Sequence, residues 1–230
     1  MFYRNEDGFA AARRQVERLT LDGSEQTVLS AAECLALEPS LRLSRDALVG
    51  GVYTPSEEVG DCRRFCRELA SRLAHRSNVS FELGFHARKL IVSNGRVVGV
   101  AGSQGDLPAD VVVVALGANA AQFVREAGVR LPIYPMKGYS ITARAAPKAA
   151  ALRHSVTDFD RKLVFAPLEE DGQPVVRVAG IADFVGMDKT IRPRRLDALL
   201  TQASQTLDLD LESDCRPWAG VRPATADSRP

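Results

Sequence analysis

Histidine, cysteine and aromatic residues are scarce in this sequence of 230 residues. It contains three histidines, four cysteines and one tryptophan, and the aromatic residues together make up 6%. No Cys-x-x-Cys pair occurs and no histidine lies at ligand spacing, so the sequence predicts no metal site. Charged residues follow Met1 at once instead of an apolar leader. We therefore expect no signal peptide, a cytoplasmic location, and cysteines that stay reduced.

The sequence also lacks an excess of charge of either sign. It has 30 Lys and Arg against 29 Asp and Glu, a net charge of +1. Binding to nucleic acid through phosphate contacts needs a clear basic excess, so nucleic acid is not a predicted partner. The longest apolar run, Val111–Leu116, is far shorter than the roughly 20 residues of a membrane-spanning helix.

Familiar nucleotide-binding and nucleophile motifs are absent. The sequence has no G-x-G-x-x-G dinucleotide fingerprint, no Walker loop and no G-x-S-x-G turn. Apolar residues make up 45% and charged residues 26%, which is ordinary for a soluble globular protein. The length predicts one large domain or two small ones.

Local patterns predict a mixture of helices and strands. Asn94-Gly95 indicates a tight hairpin within a β-meander, because both turn positions need positive φ. The run Val111–Leu116 is typical of a strand buried on both faces, as in a largely parallel sheet. Asp106–Asp110 is predicted as a turn. The predicted helices are Glu6–Leu19, Ser30–Leu37 with a Ser30–Glu33 capping box, Cys62–Arg76, Ala120–Ala127 and Pro193–Leu207. The other predicted strands are Val79–Leu83, Ala87–Val92, Arg96–Ala101, Met136–Ala143, Leu163–Leu168 and Val175–Ala179.

Two segments suggest a close approach of a ligand to the backbone. Gly117 and Ala118 follow the predicted strand Val111–Leu116, at the kind of strand end where open α/β sheets bind ligands. Gly138 lies between Lys137 and Tyr139 at the entry to another predicted strand. From each segment alone, an ordinary strand–turn–helix crossover and a plain strand are the favoured interpretations.

A third segment suggests recognition of a carboxylate. In Trp218-Ala219-Gly220-Val221-Arg222-Pro223 the arginine lies between a glycine and a proline, which we expect to hold a fixed loop. The planar guanidinium of Arg222 suits bidentate binding to a carboxylate. An ordinary surface arginine is the alternative interpretation.

Together and in order, these segments resemble the FAD-dependent D-amino-acid oxidase superfamily, in particular the small subunits of bacterial D-amino-acid dehydrogenases. The resemblance covers nearly the whole chain, and no single motif is specific. The segments that carry it are Gly50–Pro55 with Glu58–Cys62, then Val112–Ala118, Leu131–Ser140 and Trp218–Thr225.

The resemblance implies an α/β fold in which an FAD-binding domain is interleaved with an α+β substrate domain built on an antiparallel sheet. The implied boundaries are 1–49 for substrate-domain helices, 50–130 for part of the FAD-binding domain, 131–215 for the substrate-domain sheet and 216–230 for the return to the FAD-binding domain. The fold is expected to be incomplete. The family's first glycine-rich loop is absent, and the sequence stops soon after Arg222, so we expect an internal fragment of a longer protein with impaired activity.

The resemblance also implies roles for individual residues. Arg222 is expected to pair with the substrate carboxylate, and Tyr139 to lie beside the substrate. No catalytic acid or base is implied, because the flavin itself accepts the hydride. The residues expected to contact FAD are Gly117, Ala118, Gly138 and Gly220.

The implied reaction is oxidation of a D-amino acid to an imino acid, which water converts to a 2-oxo acid and ammonia. A quinone or another respiratory-chain acceptor is expected to take the electrons, with peripheral association at the inner face of the plasma membrane. Two alternatives stay open: an oxidase of glycine, sarcosine or a related amine, and a non-catalytic remnant.

Overall fold

A computed structural model describes residues 1–23, 25–43, 47–147 and 149–227. The chain divides into two compact units. The first consists of Met1–Asp61, Gly138–Ala182 and Lys189–Gly220, and the second of Cys62–Lys137, Asp183–Asp188 and Val221–Pro230. The assignment of residues to FAD-binding and substrate domains remains a prediction.

Helices and strands alternate along the chain. The strands are β1 (Phe2–Tyr3), β2 (Thr27–Ser30), β3 (Gly50–Tyr53), β4 (Ala87–Ser93), β5 (Arg96–Gly102), β6 (Gly105–Pro108), β7 (Ile133–Ala145), β8 (Val156–Asp158), β9 (Leu163–Glu170), β10 (Gln173–Asp183) and β11 (Leu209–Thr225). The helices are α1 (Glu6–Leu21), α2 (Ala31–Leu37), α3 (Cys62–Ala74), α4 (Ala120–Arg125) and α5 (Pro193–Ser204). No helix of the described residues is both long enough and apolar enough to span a membrane.

One eight-stranded sheet has the order β11-β7-β10-β9-β8-β1-β3-β2. The pairs β2–β3, β1–β3, β8–β9 and β9–β10 are antiparallel, whereas β1 and β8 run parallel. The antiparallel sheet expected from the sequence is confirmed. The chain reaches β8 from β1 only after more than 150 residues, so this part of the sheet depends on contacts between distant segments.

Local sequence signals place the helices of the first unit as predicted. Helix α1 begins where the side chain of Asn5 accepts a hydrogen bond from the Gly8 amide at 2.7 Å. Helix α2 begins with the predicted capping box between Ser30 and Glu33. Helix α5 has a proline in its first turn and packs Leu199 and Ala203 into the main core.

The main core lies on one face of the eight-stranded sheet. Apolar side chains of β7, β8, β9 and β10 meet α5 there, and Phe165, Ile141 and Leu163 are fully buried. A smaller cluster on α1 and β1 contains Tyr3, Phe9 and Ala12. Apolar residues at every second position of β7 explain how this strand contributes to the main core, since every second side chain of a strand points to the same face.

An ion pair in the first unit joins β1 to β8. The Asp158 carboxylate is fully buried and accepts a hydrogen bond from Arg4 Nε at 2.8 Å and from the Arg161 amide at 3.1 Å. The next acidic residue, Asp160, accepts from the Arg4 amide at 2.6 Å and from the Asn5 side chain. These bonds fix β1 against β8 although the two strands share only one register position.

The second unit contains the predicted meander in altered form. β4, β5 and β6 form an antiparallel three-stranded sheet with the tight turn at Asn94-Gly95. The predicted strand Val79–Leu83 is wrong, because β4 to β6 complete the sheet without it. The predicted turn at Asp106–Asp110 is also wrong: β6 pairs there with β5, and the chain turns just before it.

The run Val111–Leu116 is the largest departure from the sequence prediction. It forms no strand, and Val113 is 84% exposed. None of the described strands pairs with this segment, and a strand buried on both faces also needs a packed layer over each face. Helix α3 forms as predicted but buries none of its residues. Its apolar residues Phe65 and Leu69 are exposed.

We expect replacement of Asp158 by alanine to lower the free energy of unfolding by about 3 kcal/mol, because Arg4 would keep a largely buried charge without its carboxylate. Asp208→Ala is the matched control. Asp208 pairs with Arg42 at 3.3 Å, but both side chains are more than half exposed, so the expected loss is at most about 1 kcal/mol. Urea unfolding followed by circular dichroism measures both values. Equal losses would contradict a structural role of the buried pair.

A second prediction concerns Glu38, whose side chain is buried between α2 and the segment before β8. Burial alone would raise the pKa of Glu38. Hydrogen bonds from the Ser40 hydroxyl, the His154 and Arg153 amides and the His154 ring outweigh that effect and lower it. The ionised Glu38 therefore contributes stability above its unfolded pKa of about 4.3, and this stability is lost as the pH falls through the folded value.

Unfolding free energies measured from pH 3 to pH 7 test this prediction. We expect Glu38→Gln to be less stable at neutral pH and to lose less of its stability on acidification than the parent chain. A variant with the same acid dependence as the parent would show that Glu38 does not contribute.

Candidate functional site

Gly117 offers open backbone after the exposed run Val111–Leu116. Its φ is +54°, a left-handed conformation that a residue with a side chain adopts only with strain. The position of a hypothetical Cβ atom has no neighbour within 4 Å, and the residue is exposed. Ala118 follows it, half-buried, in a single 3-10 turn at Gly117–Asn119. This arrangement allows a ligand to approach the main chain closely.

Gly138 and Tyr139 lie on β7. Gly138 is half-buried. The Tyr139 ring is 2% exposed and packs in the main core. The alternation that buries Ile141 and Ala143 also carries Tyr139 inward. Whether Tyr139 contributes to a substrate site remains a prediction.

The segment around Arg222 is a strand and not the predicted loop. It belongs to β11, which is a neighbour of β7 in the sheet. The segment is extended as part of β11, so Gly220 and Pro223 do not form a turn. Arg222 is exposed, and among the described residues no carboxylate lies within ion-pair distance of its guanidinium.

Gly220 has a steric role on β11. It is buried beneath Trp218, whose side chain is 63% exposed, and a Cβ atom at position 220 would overlap the indole ring. The glycine therefore lets Trp218 fold back over its own strand.

Another arginine on β11 shows what Arg222 lacks. Arg216 donates to Glu170 at 2.6 Å and lies 3.3 Å from the Asp214 carboxylate. These carboxylates raise the pKa of Arg216, the Glu170 hydrogen bond being the largest cause. Its charge is thus compensated within the chain, whereas Arg222 has no ion pair with any of the described residues.

The six predicted residues are divided between the two units. Gly138, Tyr139 and Gly220 belong to the first unit, on the neighbouring strands β7 and β11. Gly117, Ala118 and Arg222 belong to the second.

The sequence alone does not reveal an ion pair of the second unit that involves a buried lysine. Lys137 precedes Gly138 and is fully buried, and its Nζ lies 3.4 Å from the Asp188 carboxylate. Both residues belong to the second unit, where Phe184 also stacks against Tyr134 with ring centroids 5.5 Å apart. The loop Asp183–Asp188 is thereby attached to the start of β7. Lys137 directly precedes Gly138, which the sequence analysis singled out, but its ion-pair partner Asp188 lies 51 residues further along the chain.

In the part of the chain that is described, no three His, Cys, Asp or Glu residues come together as a metal site. The four cysteines are free thiols. Cys62 and Cys66 are exposed on α3, and the hydrogen bond between the two thiols raises the pKa of Cys66.

Comparison with known proteins identifies the family. The family model described as FAD dependent oxidoreductase matches residues 1–230. The chain is 40% identical to D-amino acid dehydrogenase 2 of Pseudomonas aeruginosa over 99% of its own length and 52% of that protein. It is 37% identical to the D-amino acid dehydrogenase of Paramagnetospirillum magneticum over 99% of this chain and 53% of that one. The chain thus spans about half the length of the curated relatives it matches.

Solved structures show the same fold. Glycine oxidase from Geobacillus kaustophilus superposes with a TM-score of 0.83 at 23% identity, over 100% of this chain and 59% of that one. L-proline dehydrogenase from P. horikoshii gives a TM-score of 0.85 at 17% identity, over 100% and 61% of the two chains. The predicted fold class, that of FAD-linked oxidoreductases, is confirmed. On the match of its whole length, this chain belongs to the FAD-dependent oxidoreductase family.

Proposed function

We propose that this chain supplies the substrate-recognition part of an FAD-dependent enzyme that oxidises D-amino acids to 2-oxo acids and ammonia. The observation that carries the proposal is the identity of 37–40% to D-amino acid dehydrogenases along 99% of the chain. The exposed guanidinium of Arg222, which has no ion pair with any of the described residues, supports it, because every amino acid presents a carboxylate.

Within this proposal, two residues of the second unit suit contact with one part of a flavin. Gly117 offers open backbone that a planar ring can approach, and Ala118 follows it in the same turn. The predicted flavin contact of Gly138, in the first unit, remains a separate prediction. The sequence contains no glycine-rich loop of the pyrophosphate-binding kind. Bound FAD supplies hydride acceptance from the substrate α-carbon.

In this proposal the chain's own residues bind and orient the substrate. Arg222 holds the substrate carboxylate in bidentate fashion, which fixes the direction of the α-carbon. Gly220 and Trp218 hold the preceding part of β11 in shape. No side chain of this chain is assigned as acid or base.

We also infer that the electrons pass to a quinone or another respiratory-chain acceptor, since the curated relatives are named dehydrogenases. Peripheral association with the inner face of the plasma membrane, from the cytoplasm, is part of the same proposal.

Flavin reduction tests the proposed reaction. The purified 230-residue chain is mixed with FAD and desalted, and its visible spectrum is recorded without oxygen before and after addition of D-alanine. We expect retained flavin bands that bleach faster with D-alanine than with L-alanine. Faster bleaching by glycine or sarcosine would favour the alternative amine oxidase. A colourless chain would contradict the view that these residues hold a flavin.

Arg222→Lys tests the proposed carboxylate contact. Loss of the bidentate geometry should raise the substrate concentration for half-maximal bleaching by about tenfold or more. Arg216→Lys is the matched control on the same strand, because its partners are Glu170 and Asp214. We expect it to change that concentration by less than about twofold. Equal effects of the two substitutions would count against the assignment of Arg222.

A further inference from the structure

Two cysteines lie side by side on the exposed surface of α3. Cys62 is the first residue of this helix, Cys66 follows about one turn later, and both are exposed. Residues four apart in a helix share a face, with Cβ atoms about 5–6 Å apart. Here one thiol hydrogen-bonds the other, so the two sulfur atoms are neighbours. We call Cys62 and Cys66 the thiol pair.

The other two cysteines have different surroundings. Cys34 is buried in the main core and Cys215 is half-buried against it. Both belong to the first unit, whereas the thiol pair belongs to the second. A thiophilic reagent in solution therefore reaches the thiol pair most easily.

The helix opposes closure of the thiol pair into a disulfide. A disulfide needs Cβ atoms about 3.5–4.5 Å apart, which is less than the separation that an intact helix gives at this spacing. The first turn of α3 would have to unwind to form one. Two metal–sulfur bonds of about 2.3 Å each let the sulfur atoms stay up to about 4.6 Å apart. The spacing therefore suits a bridging ion better than a direct S–S bond.

The number of available ligands indicates which kind of ion fits. Zn²⁺ takes four ligands in structural sites. Among the described residues, no third His, Cys, Asp or Glu joins the thiol pair to form a metal site. Cu(I) is a soft ion that cysteine sulfur selects, and two sulfur atoms in line satisfy its coordination. The thiol pair thus suits Cu(I) and not Zn²⁺.

The charge of α3 favours the same ion. Cu(I) held by two thiolates carries a net charge of −1. The 13 residues of α3 include four arginines and one glutamate, so the helix is positively charged around the thiol pair. Cys62 also lies at the N-terminal end of the helix, where the backbone dipoles stabilise a thiolate. Both effects are modest at an exposed site, and they act in the same direction.

We propose that Cys62 and Cys66 form a two-coordinate binding site for Cu(I), with one ion bound per chain. On binding, both S–H bonds break, two Cu–S bonds form and two protons pass to the solvent. No electron is transferred, and α3 keeps its helical form.

Competition with the chromogenic Cu(I) chelator bicinchoninate tests the proposal on the 230-residue chain, without oxygen, flavin or substrate. We expect the chain to withdraw one Cu(I) from the coloured chelate. Cys66→Ser should raise the dissociation constant by about 100-fold or more, because it removes one of two ligands. This variant should keep its fold, since α3 buries none of its residues. Cys215→Ser is the matched control and should leave the constant within about twofold of the parent value.

A displaced thiol tests the geometry of the site. The double variant Cys66→Ser/Glu68→Cys keeps two cysteines on α3 but places them about 9 Å apart along the helix axis. It also removes the single negative charge of the helix, so electrostatics alone would strengthen binding. We expect this variant to bind Cu(I) as weakly as Cys66→Ser.

Four outcomes would overturn the proposal. They are equal affinity of the parent chain and Cys66→Ser, equal weakening by Cys66→Ser and Cys215→Ser, parental affinity of the displaced-thiol variant, and one Cu(I) shared by two chains in a copper-dependent dimer seen by gel filtration. Because flavin and substrate are absent throughout, the result is independent of the proposed enzymatic function.

Discussion

The eight-stranded sheet depends on a strand of two residues. β1 is the neighbour of both β8 and β3, so it joins the five strands from β11 to β8 to the pair β3–β2. Two residues supply few ladder bonds, and the parallel pairing with β8 has a single register position. Side-chain bonds provide the rest: Arg4 binds the buried Asp158, and Asp160 binds the Arg4 amide. Buried ion pairs are costly to desolvate, but their directional bonds accept only one alignment of the two strands. The ion pair between Arg4 and Asp158 therefore costs some stability but fixes the register of β1 against β8.

Ionic bonds act differently at the other end of the sheet. Glu170 binds both Arg177 and Arg216, and Asp214 binds both Arg216 and Arg144. These five side chains are partly exposed, so each bond contributes little stability by itself. Their main effect is to compensate positive charge, because two carboxylates form ion pairs with three guanidinium groups. Arg222, further along β11, is outside this network and is therefore the arginine of that strand best suited to an external carboxylate.

Local signals could be predicted from the sequence, whereas partners distant in the chain could not. The capping box of Ser30 and Glu33 and the Asn94-Gly95 turn act within four residues, and both are present. The unbroken β-branched run Val111–Leu116 predicts a buried strand, but strand pairing and burial depend on distant segments that a local pattern does not show. The same limit applies to the segment around Arg222, whose glycine and proline suggested a loop until pairing in the sheet made it a strand. For the same reason, the sequence did not predict the ion pair between Lys137 and Asp188.

Selectivity for one substrate cannot come from Arg222 within the proposed function. D-amino acids, glycine and sarcosine all present the same carboxylate, so a guanidinium binds all of them and does not distinguish one from another. Discrimination requires groups that touch the substituents of the α-carbon. The ring of Tyr139, the predicted substrate neighbour, is enclosed in the main core. A hydrogen bond from its hydroxyl to a substrate would require the ring to leave apolar neighbours that contribute to its burial. In this structure the buried Tyr139 ring holds β7 against the main core.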